Sequence, residues 1–128
     1  MKFNRSTGYG LLAVDYIAKN PDKTIMSHTI AEEYSISLDF LQKILQQLVS
    51  ANILRNKRCP NDFSLAKPAG KISMLEIIEA IEGPIFSELY SNEFALNDEM
   101  SDEAQKKYEK RLVEIKNMLE KTKVFDML

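Results

Sequence analysis

The chain has 128 residues, of which 45% are hydrophobic and 28% are charged, and its formal net charge is −2. These values exclude the apolar depletion of a disordered protein, and no 18-residue apolar run suggests a membrane span. A single cysteine excludes an internal disulfide, and the first residues lack the apolar stretch of a signal peptide. We therefore expect a cytoplasmic protein with no membrane partner.

The charges are distributed unevenly along the chain. Residues 1–70 carry nine Lys and Arg against six Asp and Glu, whereas residues 71–128 carry eight against thirteen. The first half can meet a polyanion, and the second half would repel one.

The first predicted helix follows Ser6, Thr7 and Gly8, where either hydroxyl can cap it. It ends at Asn20 and Pro21. Apolar residues at helical spacing define one buried face: Tyr9, Leu12, Ala13, Tyr16 and Ile17.

A helix-turn-helix pattern comes next. Residues 24–26 are a short apolar segment, and Ser27 after it is predicted to cap a brief helix from His28 to Tyr34. A turn at residues 35–37 then leads to a second helix from Leu38. Asn52, which tolerates the left-handed conformation, is predicted to close the second helix. Its predicted inward residues are Leu41, Ile44, Leu45 and Leu48.

Two short β-prone pieces, at residues 53–55 and 63–65, flank a seven-residue turn and predict a hairpin. Three helices followed by a hairpin make a winged helix. The predicted fold is mainly α, a winged helix-turn-helix with a small β-hairpin wing and a long C-terminal helix.

A break at Pro68 separates this unit, residues 1–70, from residues 71–128. Ser73-x-x-Glu76 is a capping box that opens a linker helix, and Gly83 with Pro84 ends it. Residues 85–100 have no clean period and predict a short helix or turns. From residue 101 to about 122 the pattern is helical, with an apolar seam of two heptads that suits a partner helix: Tyr108, Leu112, Ile115 and Leu119.

Four stretches together resemble the Rrf2 family of bacterial winged-helix transcriptional regulators: MKFNRSTGYGLLAVDYIA, IAEEYSISLDFLQKILQQLVSANIL, KRCPNDFSLAKP and KISMLEIIEAIEGP. The resemblance covers residues 1 to about 84, with a looser fit of the last helix. It implies a homodimer that pairs through the last helices and binds double-stranded DNA at a pseudo-palindromic operator, as a sequence-specific regulator and a repressor.

The chain departs from the family pattern in two places. Members that hold an iron-sulfur cluster supply three cysteines before the final helix, whereas residues 85–100 contain none, so a cluster held in the family manner is excluded. The chain thus resembles the cluster-free members, among them the cysteine-metabolism repressor, and we expect no cofactor and no metal site. The wing turn, Arg58 to Phe63, also lacks the glycines usual in the family.

The resemblance implies three groups of DNA contacts. The recognition helix would present Ser37, Asp39, Gln42, Lys43 and Gln46 to the major groove. The wing would present Arg55, Lys57 and Arg58, and phosphates would be met by Lys2, Arg5, Ser27 and His28. The alternative is that all of these are solvated surface residues without a ligand.

Cys59 lies beside these wing cations, and neighbouring positive charge favours the reactive thiolate. It is therefore a candidate redox-sensitive residue, the alternative being an inert thiol in a variable loop.

Other functional classes find less support. There is no Ser-His-Asp or Cys-His constellation, and Gly8-x-Gly10 lacks the third glycine of a nucleotide-binding loop, so we expect no enzyme. The second functional hypothesis is a protein-interaction or scaffold module that signals through a partner protein or a small ligand.

Overall fold

The computed structural model describes residues 4–84 and 101–127, without the side chains of residues 125 and 127. The predicted short helix or turns at 85–100 lie outside the described residues. The elements are α1 (Arg5–Ala18), β1 (Ile25–Met26), α2 (Ser27–Tyr34), α3 (Leu38–Ser50), β2 (Leu54–Arg55), β3 (Asp62–Leu65), a 3-10 turn (Ala69–Lys71), α4 (Met74–Glu82), α5 (Asp102–Lys121) and α6 (Val124–Met127).

Helix α1 begins earlier than predicted, at Arg5, and its cap is Asn4. The Asn4 side chain accepts a hydrogen bond from the Thr7 backbone N–H at 3.2 Å, so neither Ser6 nor Thr7 caps the helix. Thr7 is instead buried, and its hydroxyl donates to the Glu82 carboxylate at 2.6 Å, which joins the start of α1 to the end of α4. Leu12, predicted on the buried face, is 39% exposed.

The helix-turn-helix is confirmed. Helix α2 begins at Ser27 rather than after it, because Met26 occupies the cap position without a side-chain hydrogen bond. Helix α3 buries its four predicted residues completely or nearly so, and Asn52 after it has a φ of +61°, in the left-handed region.

The two strands of the predicted hairpin, β2 and β3, form a three-stranded antiparallel sheet together with β1. Strand β3 is central, pairing Leu65 with Leu54 of β2 on one edge and Phe63 with Ile25 of β1 on the other. The pairing with β1 was missed because a strand of two residues carries no period.

One hydrophobic core runs through both halves of the chain. Phe63 of the sheet, Ile44 of α3, Ile77 of α4 and Val124 of α6 belong to the same buried cluster. The capping box is formed, with Ser73 and Glu76 bonding each other's backbone N–H groups, and Gly83 ends α4 at a φ of +86°. Within the described ranges, no helix has the length and apolar character that a membrane crossing requires.

Helix α5 packs on α4 of the same chain. Leu112 is buried with Leu75 and Ile78, and Tyr108 and Leu119 pack against that cluster. Three of the four predicted dimer-seam residues are therefore used within the chain, whereas the fourth, Ile115, is 42% exposed.

Candidate nucleic-acid interface

Helix α3 presents one polar face to solvent, because its four buried residues all lie on the core side. In its first turn the apolar side chains of Leu38 and Phe40 are also exposed, at 46% and 38%. Asp39 and Lys43 are exposed on this face, and Ser37 is exposed just before it. A shallow groove of about 620 Å³ follows the face. It is lined by Asp39, Gln42, Lys43, Gln46, Gln47 and Ser50.

The tip of the wing is tied to this face of α3. The Pro60 carbonyl oxygen accepts from Gln42 Nε2 at 2.9 Å, from Gln46 Nε2 at 3.3 Å and from Asn56 Nδ2 at 3.2 Å. The two glutamines, predicted as free base readers, thus have their amide groups engaged by the wing. The wing turn brings the Pro60 carbonyl within hydrogen-bond distance of both glutamines. Because Pro60 is distant from them in sequence, no local sequence pattern predicts this contact.

Asp62 organises the glycine-free turn. It is 2% exposed, and its carboxylate oxygens accept from the backbone N–H groups of Lys57 at 2.7 Å and Arg58 at 2.8 Å. Burial raises the pKa of this carboxyl, but the backbone N–H groups of Lys57, Arg58 and Cys59 and the charge of Arg58 outweigh it, so the net pKa lies below its usual value. Asp62 is therefore ionised, and its carboxylate stabilises this turn, which contains no glycine, by binding the backbone N–H groups.

The wing cations differ in their hydrogen-bond partners. Lys57 and Arg58 are exposed at the turn, and among the described residues neither has a carboxylate within 4.0 Å of its charged nitrogens. Arg55 lies on the outer face of β2, where its Nε donates to Ser64 Oγ at 3.3 Å. Free cations beside an exposed helix face form the surface that a phosphate backbone requires.

The four candidate phosphate contacts are not equivalent. Arg5 is exposed at the start of α1, and His28 is exposed at a cleft of about 180 Å³ that also touches Asp39 and Asn61. Ser27 is 3% exposed and its backbone N–H donates to the Asn61 carbonyl at 2.9 Å. The Ser27 N–H thus holds the wing turn within the protein, and its phosphate contact stays a prediction. Lys2 lies outside the described residues.

Cys59 is half-buried in the wing turn, and its carbonyl accepts from the Asp62 N–H at 3.2 Å. Its redox role stays a prediction.

Four residues of the interface escaped the sequence analysis: Gln47, Asn56, Pro60 and Asp62. Gln47 is exposed on α3 and continues the predicted polar face by one position. The Asn-Asp pair at residues 61 and 62 is a turn signal that marks Asp62 as a backbone acceptor. Asn56 and Pro60 carry no such signal.

Comparison with known proteins agrees with this geometry. The model of the Rrf2 family, described as "Iron-dependent Transcriptional regulator", matches residues 3–128. A Rhodopseudomonas palustris protein named as the HTH-type transcriptional regulator BadM is 36% identical over 83 residues, which are 64% of this chain and 53% of that protein. An Aquifex aeolicus protein named as an HTH-type transcriptional regulator is 32% identical over 97 residues, 75% of this chain and 64% of that protein.

The chain therefore spans between half and two thirds of the length of these curated relatives. Among solved structures, CymR of B. subtilis, titled the global cysteine regulator of that organism, superimposes with a TM-score of 0.83 at 22% identity. The match covers 99% of this chain and 95% of CymR, and it shows the shared winged-helix fold.

The family description mentions iron, and the donor residues of this chain do not fit an iron-sulfur cluster. The whole sequence has one cysteine and one histidine, whereas a cluster needs about four ligands, mostly thiolates. Within residues 4–84 and 101–127, no three His, Cys, Asp or Glu side chains are grouped so that they could hold a metal ion.

Proposed function

Because this chain belongs to the Rrf2 family of transcriptional regulators, we propose that it binds a specific DNA operator through α3 and the wing. One observation carries the proposal: the wing tip is hydrogen-bonded to the exposed face of α3 through Gln42 and Pro60, so both elements form one continuous surface. This surface is polar on α3 and cationic on the wing, the combination used for base readout and phosphate contact.

The proposal gives the residues of this surface different tasks. Ser37, Asp39, Lys43 and Gln47 are exposed and meet base edges or phosphates in the major groove. Gln42 and Gln46 position the wing through Pro60. Lys57 and Arg58, with Arg5 and His28 at the margins, meet phosphates.

We further propose that the protein acts as a homodimer in the cytoplasm, with residues 1–70 reading DNA and residues 71–128 mediating pairing. On α5, Ile115 is 42% and Met118 is 68% exposed. They are three residues apart and so lie within about 60° of each other on the helix. Together they form an apolar edge beside the side that packs on α4. Two-fold pairing there implies a two-fold operator, and a dimer seated on promoter DNA represses by occupancy.

The dependence of DNA affinity on salt tests the proposal. Affinity for duplex DNA, measured by fluorescence anisotropy, is expected to fall steeply between about 50 and 200 mM salt. Lys57→Gln combined with Arg58→Gln removes two phosphate contacts from each subunit of the dimer and is expected to flatten the slope by about 3.6. As a matched control, Lys106→Gln with Lys107→Gln on α5 is expected to leave the slope unchanged. Little affinity at any salt concentration would contradict DNA binding and support the second candidate, a scaffold whose apolar α5 edge binds another protein.

A further inference from the structure

A cavity lies behind the wing, and no residue of the recognition helix lines it. It has a volume of about 780 Å³ and lies between the outer face of the sheet, the end of α1 with the loop that follows it, and the chain after β3. Small-molecule sites in proteins typically measure about 300–1,000 Å³. The cavity is therefore large enough for a metabolite-sized ligand.

The wall of this cavity is mostly apolar. Ile17 and Ala18 contribute from the end of α1, Leu65 and Ala66 from the end of β3, and Ala69 from the 3-10 turn. Such a wall favours an apolar ligand body, because the transfer of CH₂ groups from water to an apolar surface is favourable.

The charges around the cavity are strongly unbalanced. Five cationic residues and one acidic residue, Asp22, line it. Lys19 and Lys67 pair with Asp15 and Glu76 at 3.0 and 2.7 Å.

The other three cations, Lys23, Arg55 and Lys57, have no carboxylate within 4.0 Å among the described residues. Arg55 uses only Nε, on Ser64, so its two terminal nitrogens are available as a planar fork of the kind that binds carboxylates with two hydrogen bonds.

We propose that this cavity is a binding site for a small amphipathic carboxylate, with its apolar body against Ala66 and its carboxylate at Arg55, Lys23 and Lys57. Two of these cations belong to the wing, so the bound anion neutralises charge that DNA phosphates would otherwise meet, and occupancy weakens DNA binding. This second half of the inference rests on the proposed function, whereas the site itself does not.

Direct binding in the absence of DNA tests the site. Hexanoate is titrated into the ¹⁵N-labelled full chain, with hexanamide as the uncharged probe of equal length. We expect saturable shifts of the backbone amides of Thr24, Ser64, Ala66 and Ala69, with at least tenfold weaker binding of hexanamide. Shifts scattered over the surface, absence of saturable shifts, or equal binding of the two probes would overturn the site.

Two variants locate the ligand, each with a matched control. Ala66→Leu fills the cavity from its apolar wall and is expected to abolish hexanoate binding, whereas Ala104→Leu on the exposed start of α5 preserves it. Lys23→Gln is expected to weaken binding at least threefold, and Lys106→Gln does not. Retained dispersion of the remaining amide signals shows that Ala66→Leu is folded. If the folded Ala66→Leu variant binds hexanoate as the unaltered chain does, the assignment to this cavity fails.

A final experiment distinguishes failure of the ligand site from failure of the proposed DNA binding. If the protein binds DNA, saturating hexanoate is expected to lower its affinity at least threefold, and Ala66→Leu removes this effect. Unchanged affinity of a hexanoate-saturated protein would overturn the coupling. If the protein binds hexanoate at the cavity but no DNA at all, the site stands and the proposed function fails.

Discussion

Gln42 on α3 and Pro60 at the tip of the wing are joined by a hydrogen bond of 2.9 Å between the Gln42 amide nitrogen and the Pro60 carbonyl oxygen. The two residues are 18 positions apart in the chain, and their contact fixes the distance between the helix and the wing that are proposed to touch DNA. Gln46 supports the same carbonyl from the next turn of α3. The interface is therefore preorganised from within the protein.

Replacing Gln42 by Ala is expected to loosen the wing. The loss of one hydrogen bond lowers the free energy of unfolding by about 1 kcal/mol and speeds hydrogen exchange of the wing amides. Gln47→Ala on the same face makes no such bond and is expected to change stability by less than about 0.5 kcal/mol. Urea denaturation of both variants measures the difference, and equal stability of the two would contradict the contact.

The carboxyl of Asp62 makes the wing sensitive to acid. Because its pKa is lower in the folded than in the unfolded chain, the stabilisation is present above the unfolded pKa of about 4 and is lost as pH falls through the folded value. The melting temperature of Asp62→Asn is expected to fall below that of the unaltered protein at pH 7 and to approach it as the pH falls below about 4. A constant difference between the unaltered protein and Asp62→Asn at all pH values would refute the role of the charge.

Two glycines of α1 are expected to respond oppositely to replacement by Ala. Nothing lies within 4 Å of a Cβ added at Gly8, so Gly8→Ala gains helix propensity and raises stability by about 0.5–1 kcal/mol. A Cβ at Gly10 would overlap the end of the Ile81 side chain and lie 3.5 Å from Ile44. Gly10→Ala is therefore expected to lose stability.

Thermal unfolding of these variants checks the packing between α1 and α4. Because Ile81→Val removes the overlapping methyl group, the double variant with Gly10→Ala is expected to be more stable than the sum of the two single changes predicts. Additive effects would show that Gly10 and Ile81 are not in contact.

The apolar edge of α5 predicts the oligomeric state. Ile115→Lys with Met118→Lys is expected to convert a dimer into a monomer of 14.7 kDa, measured by light scattering after gel filtration. Val113 is 46% exposed but lies about 160° from Ile115 around the helix, so Val113→Lys is the matched control and should remain dimeric. A dimer that persists in the double variant would place the pairing surface elsewhere.

The parts of the fold that follow from local chemistry were predictable from the sequence. The helical spacing of the apolar residues identified four of them as core: Leu41, Ile44, Leu45 and Leu48. The capping box at Ser73 located the start of α4. The exposed position of Leu12 was not predictable, because the side from which neighbouring helices cover α1 depends on the tertiary fold.

The candidate site likewise has some features that were predictable from the sequence and others that were not. The polar face of α3 follows from helical periodicity, and the charge of the wing follows from its composition. The contacts of Gln42 with Pro60 and of Ser27 with Asn61 join residues far apart in sequence, so no local sequence pattern predicts that these groups bond within the protein. The cavity behind the wing is likewise formed by segments that meet only in three dimensions.

Selection of bound duplexes from a random pool tests the central claim most directly, namely that this winged helix reads DNA as a symmetric dimer. We expect enrichment of a two-fold motif whose half-sites are spaced by about one helical turn or a multiple of it, roughly 10 base pairs each. We also expect Gln47→Ala to change the preferred base within both half-sites together. A pool that shows no enrichment after repeated rounds would contradict the account.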